Sequence, residues 1–157
     1  REEDVPGVCA EYDRLAHYLL KHPEVNFFHF NVDLAQGPCV IKRMRGCGAG
    51  CEYVCITPEG DIYPCHQFVG NEAFKLGNVY DDSFDMELSS KFAGMNIYTR
   101  KECSDCWAKF YCSGGCSAAN YNVNGDITQP SRVGCELERK RLECAIAIRA
   151  IRAGLAE

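Results

Sequence analysis

Cys103-Ser104-Asp105-Cys106-Trp107-Ala108-Lys109-Phe110-Tyr111-Cys112-Ser113-Gly114-Gly115-Cys116 is the stretch on which the fold turns. Its cysteines are spaced x2, x5 and x3, and Cys135 follows after 18 intervening residues. Two thiolates separated by two residues can grip one metal centre, because the turn between them directs both sulfurs to one side. Zinc ribbons usually repeat the x2 pair. Here the second pair is x3 and another cysteine follows, so four-coordinate zinc leaves a ligand over. Two clusters with interleaved ligands would use them all, and iron–sulfur clusters commonly draw a fourth ligand from far away in sequence.

The surrounding chain sets the limits. Cysteine makes up 12 of the 157 residues, and ten of the 12 lie between Cys39 and Cys135. Disulfides, zinc and iron–sulfur clusters compete for them; the lack of an apolar signal core in Arg1-Glu2-Glu3-Asp4 weakens disulfides. With 17 basic and 22 acidic residues the net charge is −5, which excludes a nucleic-acid binder relying on bulk positive charge. No run of about 18 apolar residues exists, so no membrane span is expected, and the location expected is cytoplasmic. The chain has no initiator Met, as expected of a fragment or processed chain.

The organisation falls into three parts. In residues 1–35, Tyr12, Leu15, Ala16, Leu19 and Leu20 share one helical face. His22-Pro23 ends that helix, because the residue before Pro avoids the α region. Val25 to Asn31, with Phe27, Phe28 and Phe30, is predicted to be a strand. From Gly37 to Gly134, Gly, Pro, Asn and Asp punctuate the chain every few residues. A hairpin is predicted around Pro58-Glu59-Gly60-Asp61, with strands at Tyr53–Thr57 and Ile62-Tyr63. So turn-rich a region is expected to have little apolar core, and metal is the candidate staple. From Glu136 to Leu155 a helix returns, with Leu137, Cys144, Ile148, Ile151 and Leu155 on one stripe.

A second signal precedes the first: Cys47-x12-Gly60-x4-Cys65, with Cys65 inside Tyr63-Pro64-Cys65-His66. Together the two read C-x12-G-x4-C, gap, C-x2-C-x5-C-x3-C, gap, C. This pattern resembles the SPASM domain, the auxiliary-cluster domain of radical S-adenosylmethionine (SAM) enzymes that modify peptides and proteins. Leu76-Gly77-Asn78-Val79 is similar to the family's short glycine-containing strand. The likeness is greatest to maturases of the "six cysteines in forty-five residues" (SCIFF) peptides. Gly46–Gly50, Thr57–Gly70, Cys112–Ala118 and Asn120–Asn122 carry it, over about residues 40–145.

The resemblance implies an α+β fold: a small, irregular, cluster-stapled domain at 39–157 with a β-hairpin and a C-terminal helix. Before it, at 1–38, comes a helix–strand unit from the end of a radical SAM α/β barrel. By position it assigns Cys47, Cys65 and Cys116 to an inner 4Fe–4S cluster, auxiliary I. Cys103, Cys106, Cys112 and Cys135 fall to an outer one, auxiliary II. Some relatives close the inner cluster with a fourth Cys near the place of Cys51; Cys39 is a further candidate. Others leave that iron open for a substrate thiolate, and the open site is expected here. The implied activity is formation of a Cys thioether, of the sactionine type, in a Cys-rich ribosomal precursor peptide. A sulfatase-maturing, formylglycine-forming oxidase and a structural zinc interaction module are the alternatives. SAM and a third 4Fe–4S cluster would sit in the N-terminal barrel of the same enzyme. Cys47-x3-Cys51-x3-Cys55 misses the C-x3-C-x2-C that radical generation needs, so this chain alone is expected to be inactive.

The remaining residues have plainer expectations. Cys9 and Cys144 are small core hydrophobes on helices, and Cys55 is a buried strand residue. His66 either tunes a cluster or makes a structural hydrogen bond, and His17, His22 and His29 carry no chemistry. Trp107, Phe110 and Tyr111 shield a cluster from water in preference to touching substrate. Lys42, Arg43 and Arg45 form a solvated face. Gly114-Gly115 lets the backbone approach a cluster closely.

Overall fold

The computed structural model describes residues 1–34 and 40–155, so Cys39 lies outside the described residues. In chain order the helices and strands are α1 (Val5–Lys21), α2 (Val40–Arg45), β1 (Cys55–Ile56), β2 (Asp61–Tyr63), β3 (Gly77–Asn78) and β4 (Ser83–Phe84). They continue as α3 (Met86–Gly94), α4 (Lys101–Ser104), α5 (Lys109–Cys112), α6 (Ser117–Asn124) and α7 (Arg132–Arg152). The fold is α+β, with one four-stranded antiparallel sheet and a C-terminal helix. Two units divide it: Arg1–Pro38 with Ser131–Glu157, and Cys39–Pro130.

The first unit is a pair of amphipathic helices. Pro6 sits in the first turn of α1, where its missing N–H costs nothing, and the helix stops at His22 ahead of Pro23. Ala16 and Leu19 of α1 are buried with Cys144 and Ile148 of α7, with Tyr12, Leu15 and Leu20 packed around them. The Ser131 hydroxyl caps α7 by accepting from Gly134 N at 3.2 Å. That cap starts the helix four residues before the expected Glu136. Leu155 falls beyond the helix and is exposed.

Residues 25–31 are not a strand. They make a 3-10 turn at Phe28–Phe30, although every aromatic there favours β structure. A strand needs a partner for its main-chain groups, and none pairs with this segment among the described residues. Phe27 and Phe30 pack half-buried instead, Phe30 edge-on to Phe27 at 5.1 Å and against Tyr12 at 5.8 Å, while Phe28 stays exposed.

The second unit is built on a meander in the order β1-β2-β3-β4. Cys55 pairs with Tyr63, Ile62 with Gly77, and Gly77 with Phe84. The turn before β2 is closed by Gly60 N donating to Thr57 O at 2.9 Å. Gly60 has φ +85°, and a Cβ there would meet the Tyr80 ring at 2.6 Å, which explains the glycine inside the cysteine motif. Asp61 Oδ1 accepts from Asn78 Nδ2 at 2.8 Å and meets Lys75 Nζ at 2.6 Å, fastening β2 to the segment that follows.

This unit has more core than its sequence suggests. Phe68, Phe74 and Phe92 pack together, Phe68 and Phe74 tilted with centroids 4.3 Å apart and Phe92 edge-on to both, and Tyr121 stands edge-on to Phe74 at 4.6 Å. Ala49, Tyr63, Cys65, Met95 and Ala118 complete the cluster. Phe68 and Phe74 come from 3-10 turns, so no helical or strand periodicity marks them. Among the described residues, no helix is long and apolar enough to cross a membrane.

Candidate metal centre

Cys47 lies in a tight turn after α2, and Cys65 two residues after the end of β2. One donor ties the two loops: Gly50 N reaches both Tyr53 O at 2.9 Å and Pro64 O at 3.1 Å. Tyr53 returns over the turn and its hydroxyl donates to Cys47 Sγ at 3.9 Å. Its phenol is pushed well above its usual range by desolvation, then by the bond to Cys47 and by negative charge on Cys47 and Cys65. Both cysteines therefore neighbour one hydroxyl that stays a proton donor. Cys47 is exposed, whereas Cys65 is buried as the N-cap of the turn His66–Phe68.

Cys116 is the N-cap of α6, where the helix dipole favours a thiolate. Its Sγ accepts from Gln67 Nε2 at 3.9 Å, and Gln67 is two residues from Cys65. The three cysteines of the inner set are thus linked through Tyr53 and the segment Cys65-His66-Gln67. The Cys51 thiol donates to Gly48 O at 3.4 Å within its own turn. Cys55 is half-buried rather than buried.

Of the outer set, Cys103 and Cys112 are mounted on two short helices, α4 and α5, and Cys106 lies between them. Cys103 is buried in α4, and Cys106 N donates to Cys103 O at 3.1 Å, closing the turn that the x2 spacing requires. Cys106 and Cys112 are half-buried, and Cys112 is the last residue of α5. Ser113, Gly114 and Gly115 then take positive φ in succession (57°, 85° and 75°), turning the chain sharply between Cys112 and Cys116. Cys135 lies in the first unit, on the first turn of α7.

Arg100, which the cysteine spacing gives no reason to single out, sits beneath this loop. It is 5% exposed, and its Nη1 donates to Gly114 O at 2.5 Å. A Cβ on Gly114 would come within 2.2 Å of that nitrogen, so the glycine makes room for a guanidinium. Of the aromatics in the loop, Trp107 and Tyr111 are exposed and Phe110 is half-buried. Arg43 lies over the Tyr111 ring at 4.8 Å, and Arg45 is exposed. His66 is exposed as well.

Among the described residues, no three His, Cys, Asp or Glu side chains are gathered closely enough to hold a single metal ion. A cluster makes a different demand, since it takes one thiolate at each of several irons and so needs cysteines around a body. Thiols on turns, at an N-cap and on either side of a positive-φ loop, with a phenol bonded to one of them and a guanidinium bonded to the loop, suit that donor set.

Within this unit, residues 47–107 match the family model of an iron–sulfur cluster-binding domain, SPASM. Cys112, Cys116 and Cys135 lie beyond the matched segment. Forty-nine residues, 31% of the chain, are 39% identical to the antilisterial bacteriocin subtilosin biosynthesis protein AlbA of Bacillus subtilis. An uncharacterized protein of Archaeoglobus fulgidus is 29% identical over 96 residues, 60% of the chain. The chain spans 10% of the first relative's length and 23% of the second's.

Proposed function

We propose that the chain is the auxiliary-cluster part of a radical SAM peptide maturase that forms a Cys thioether in a ribosomal precursor peptide. The observation that carries this reading is the SPASM match over 47–107 on a unit that brings Cys47 and Cys65 to one phenol. The name of the AlbA relative, a bacteriocin biosynthesis protein, supports a peptide substrate. Two 4Fe–4S clusters would supply redox-active iron. Cys47, Cys65 and Cys116 hold the inner one. Cys103, Cys106, Cys112 and Cys135 hold the outer one, the place of Cys135 resting on sequence spacing. SAM, the third cluster and radical generation belong to a barrel outside this sequence.

The chain's own residues set up thiol binding at the inner cluster. With the Cys51 thiol turned to Gly48 O, Cys47, Cys65 and Cys116 would hold the inner cluster and leave one iron for the donor thiolate of the peptide. Tyr53, a fixed donor, steadies Cys47. The test uses anaerobically reconstituted chain titrated with a synthetic Cys-containing peptide and its Ser counterpart. The Cys peptide is expected to change the absorbance and electron paramagnetic resonance (EPR) of one cluster, and Cys51→Ala to leave both the iron content and the response intact. Equal responses to the Cys and Ser peptides, or loss of iron on Cys51→Ala, would contradict the open site.

A further inference from the structure

Arg100 is the residue of the second unit whose chemistry the assigned ligands leave unexplained. It is the residue before α4, three positions ahead of Cys103, and it is almost wholly buried. Its Nη1 bonds Gly114 O at 2.5 Å, and Nη2 bonds Ile127 O at 3.2 Å, Ser117 Oγ at 3.4 Å and Met95 Sδ at 3.6 Å. Every one of these acceptors is neutral. Its buried Nε has no hydrogen-bond partner among the described residues. Burial lowers the proton affinity of the guanidinium, while Cys103, Cys112 and Asp126 act in the opposite direction. Asp126 supplies negative charge to this desolvated cation, but the Nε–H stays unpartnered, three residues ahead of Cys103 and with Nη1 on the carbonyl of Gly114, two residues after Cys112.

We propose that Arg100 is a positioning residue of the outer cluster: its guanidinium keeps the Nε–H for a sulfur of the cluster held by Cys103 and Cys112, and its charge raises that cluster's reduction potential. This rests on the reading that Cys103 and Cys112 are cluster ligands. A fixed cation favours the more negative, reduced state, and hydrogen bonds to the sulfurs act in the same direction. Gly114 serves this arrangement by giving the guanidinium space.

Redox titration of the anaerobically reconstituted chain, followed by EPR, tests it. Arg100→Gln should keep its iron and move one of two midpoint potentials to a more negative value, leaving the other unchanged. Arg100→Lys, which keeps the charge and loses Nε, should fall between Gln and wild type. Because a buried arginine can be needed for folding, the second measurement uses wild type alone. Protein labelled with nitrogen-15 arginine should show an arginine nitrogen coupling to one reduced cluster in pulsed EPR. Unchanged potentials in both variants, or no arginine coupling, overturns the role of Arg100 while the ligand reading stands. Wild type that assembles no iron–sulfur cluster overturns the ligand reading itself.

Discussion

Replacing Cys144 with Ala separates a core cysteine from a cluster ligand, and its pH dependence can be worked out. Cys144 is 3% exposed between α1 and α7, and its thiol donates to Asp13 Oδ1 at 3.8 Å. Lys140 Nζ lies 2.6 Å from the same oxygen. Desolvation pushes the thiol up to about 11; the charge of Lys140 opposes this and that of Asp13 adds to it. Removing one sulfur from a packed site costs about 1–2 kcal/mol, the range of small core truncations. The unfolded thiol titrates near pH 8.5. Stability from keeping the folded thiol neutral is therefore complete below that pH and is lost as pH rises toward about 11. At about 1.36 kcal/mol per unit the shift is worth about 3 kcal/mol, reduced to about 1–2 because Asp13 and Glu143 are solvent-screened. The Ala variant lacks this titration. Wild type should exceed it by about 1–2 kcal/mol near pH 8, and the gap should close near pH 11. Urea unfolding followed by far-ultraviolet circular dichroism under anaerobic conditions measures both. A gap that stays constant over this range, or iron lost from the variant, would refute the reasoning.

Cys106→Ala should lose about four of about eight irons, measured by iron assay, because one whole cluster goes with its ligand; iron loss equal to that of Cys144→Ala would contradict the assignment. Gly125→Ala meets open space at φ +71°, so it should cost only the left-handed backbone, about 1–2 kcal/mol. Gly114→Ala, which drives a Cβ onto Arg100, should cost clearly more in the same urea assay. Tyr53→Phe removes the donor to Cys47 Sγ and should lower one cluster potential in a redox titration, at a stability cost of about 0.5–1.5 kcal/mol.

Local chemistry made several elements legible in the sequence. Pro58-Glu59-Gly60-Asp61 marked the hairpin because Gly60 must take positive φ, and the stripes through Ala16, Leu19, Cys144 and Ile148 marked the helix pair. Phe27, Phe28 and Phe30 misled because β propensity describes a residue on a paired strand, and this segment packs its rings without pairing. The aromatic core was hidden because Phe68 and Phe74 sit in 3-10 turns, where no period betrays burial. Cysteine spacing singled out the candidate ligands. It could not reveal Tyr53 or Arg100, whose relation to the cysteines exists only once the loops close.

The central claim is that these cysteines hold two clusters. Anaerobic reconstitution followed by iron, sulfide and zinc analysis with Mössbauer spectroscopy tests it most directly. The account predicts about eight irons per chain, all in 4Fe–4S form, with an equal amount of sulfide. A value near four irons, or stoichiometric zinc in a colourless protein, would contradict it.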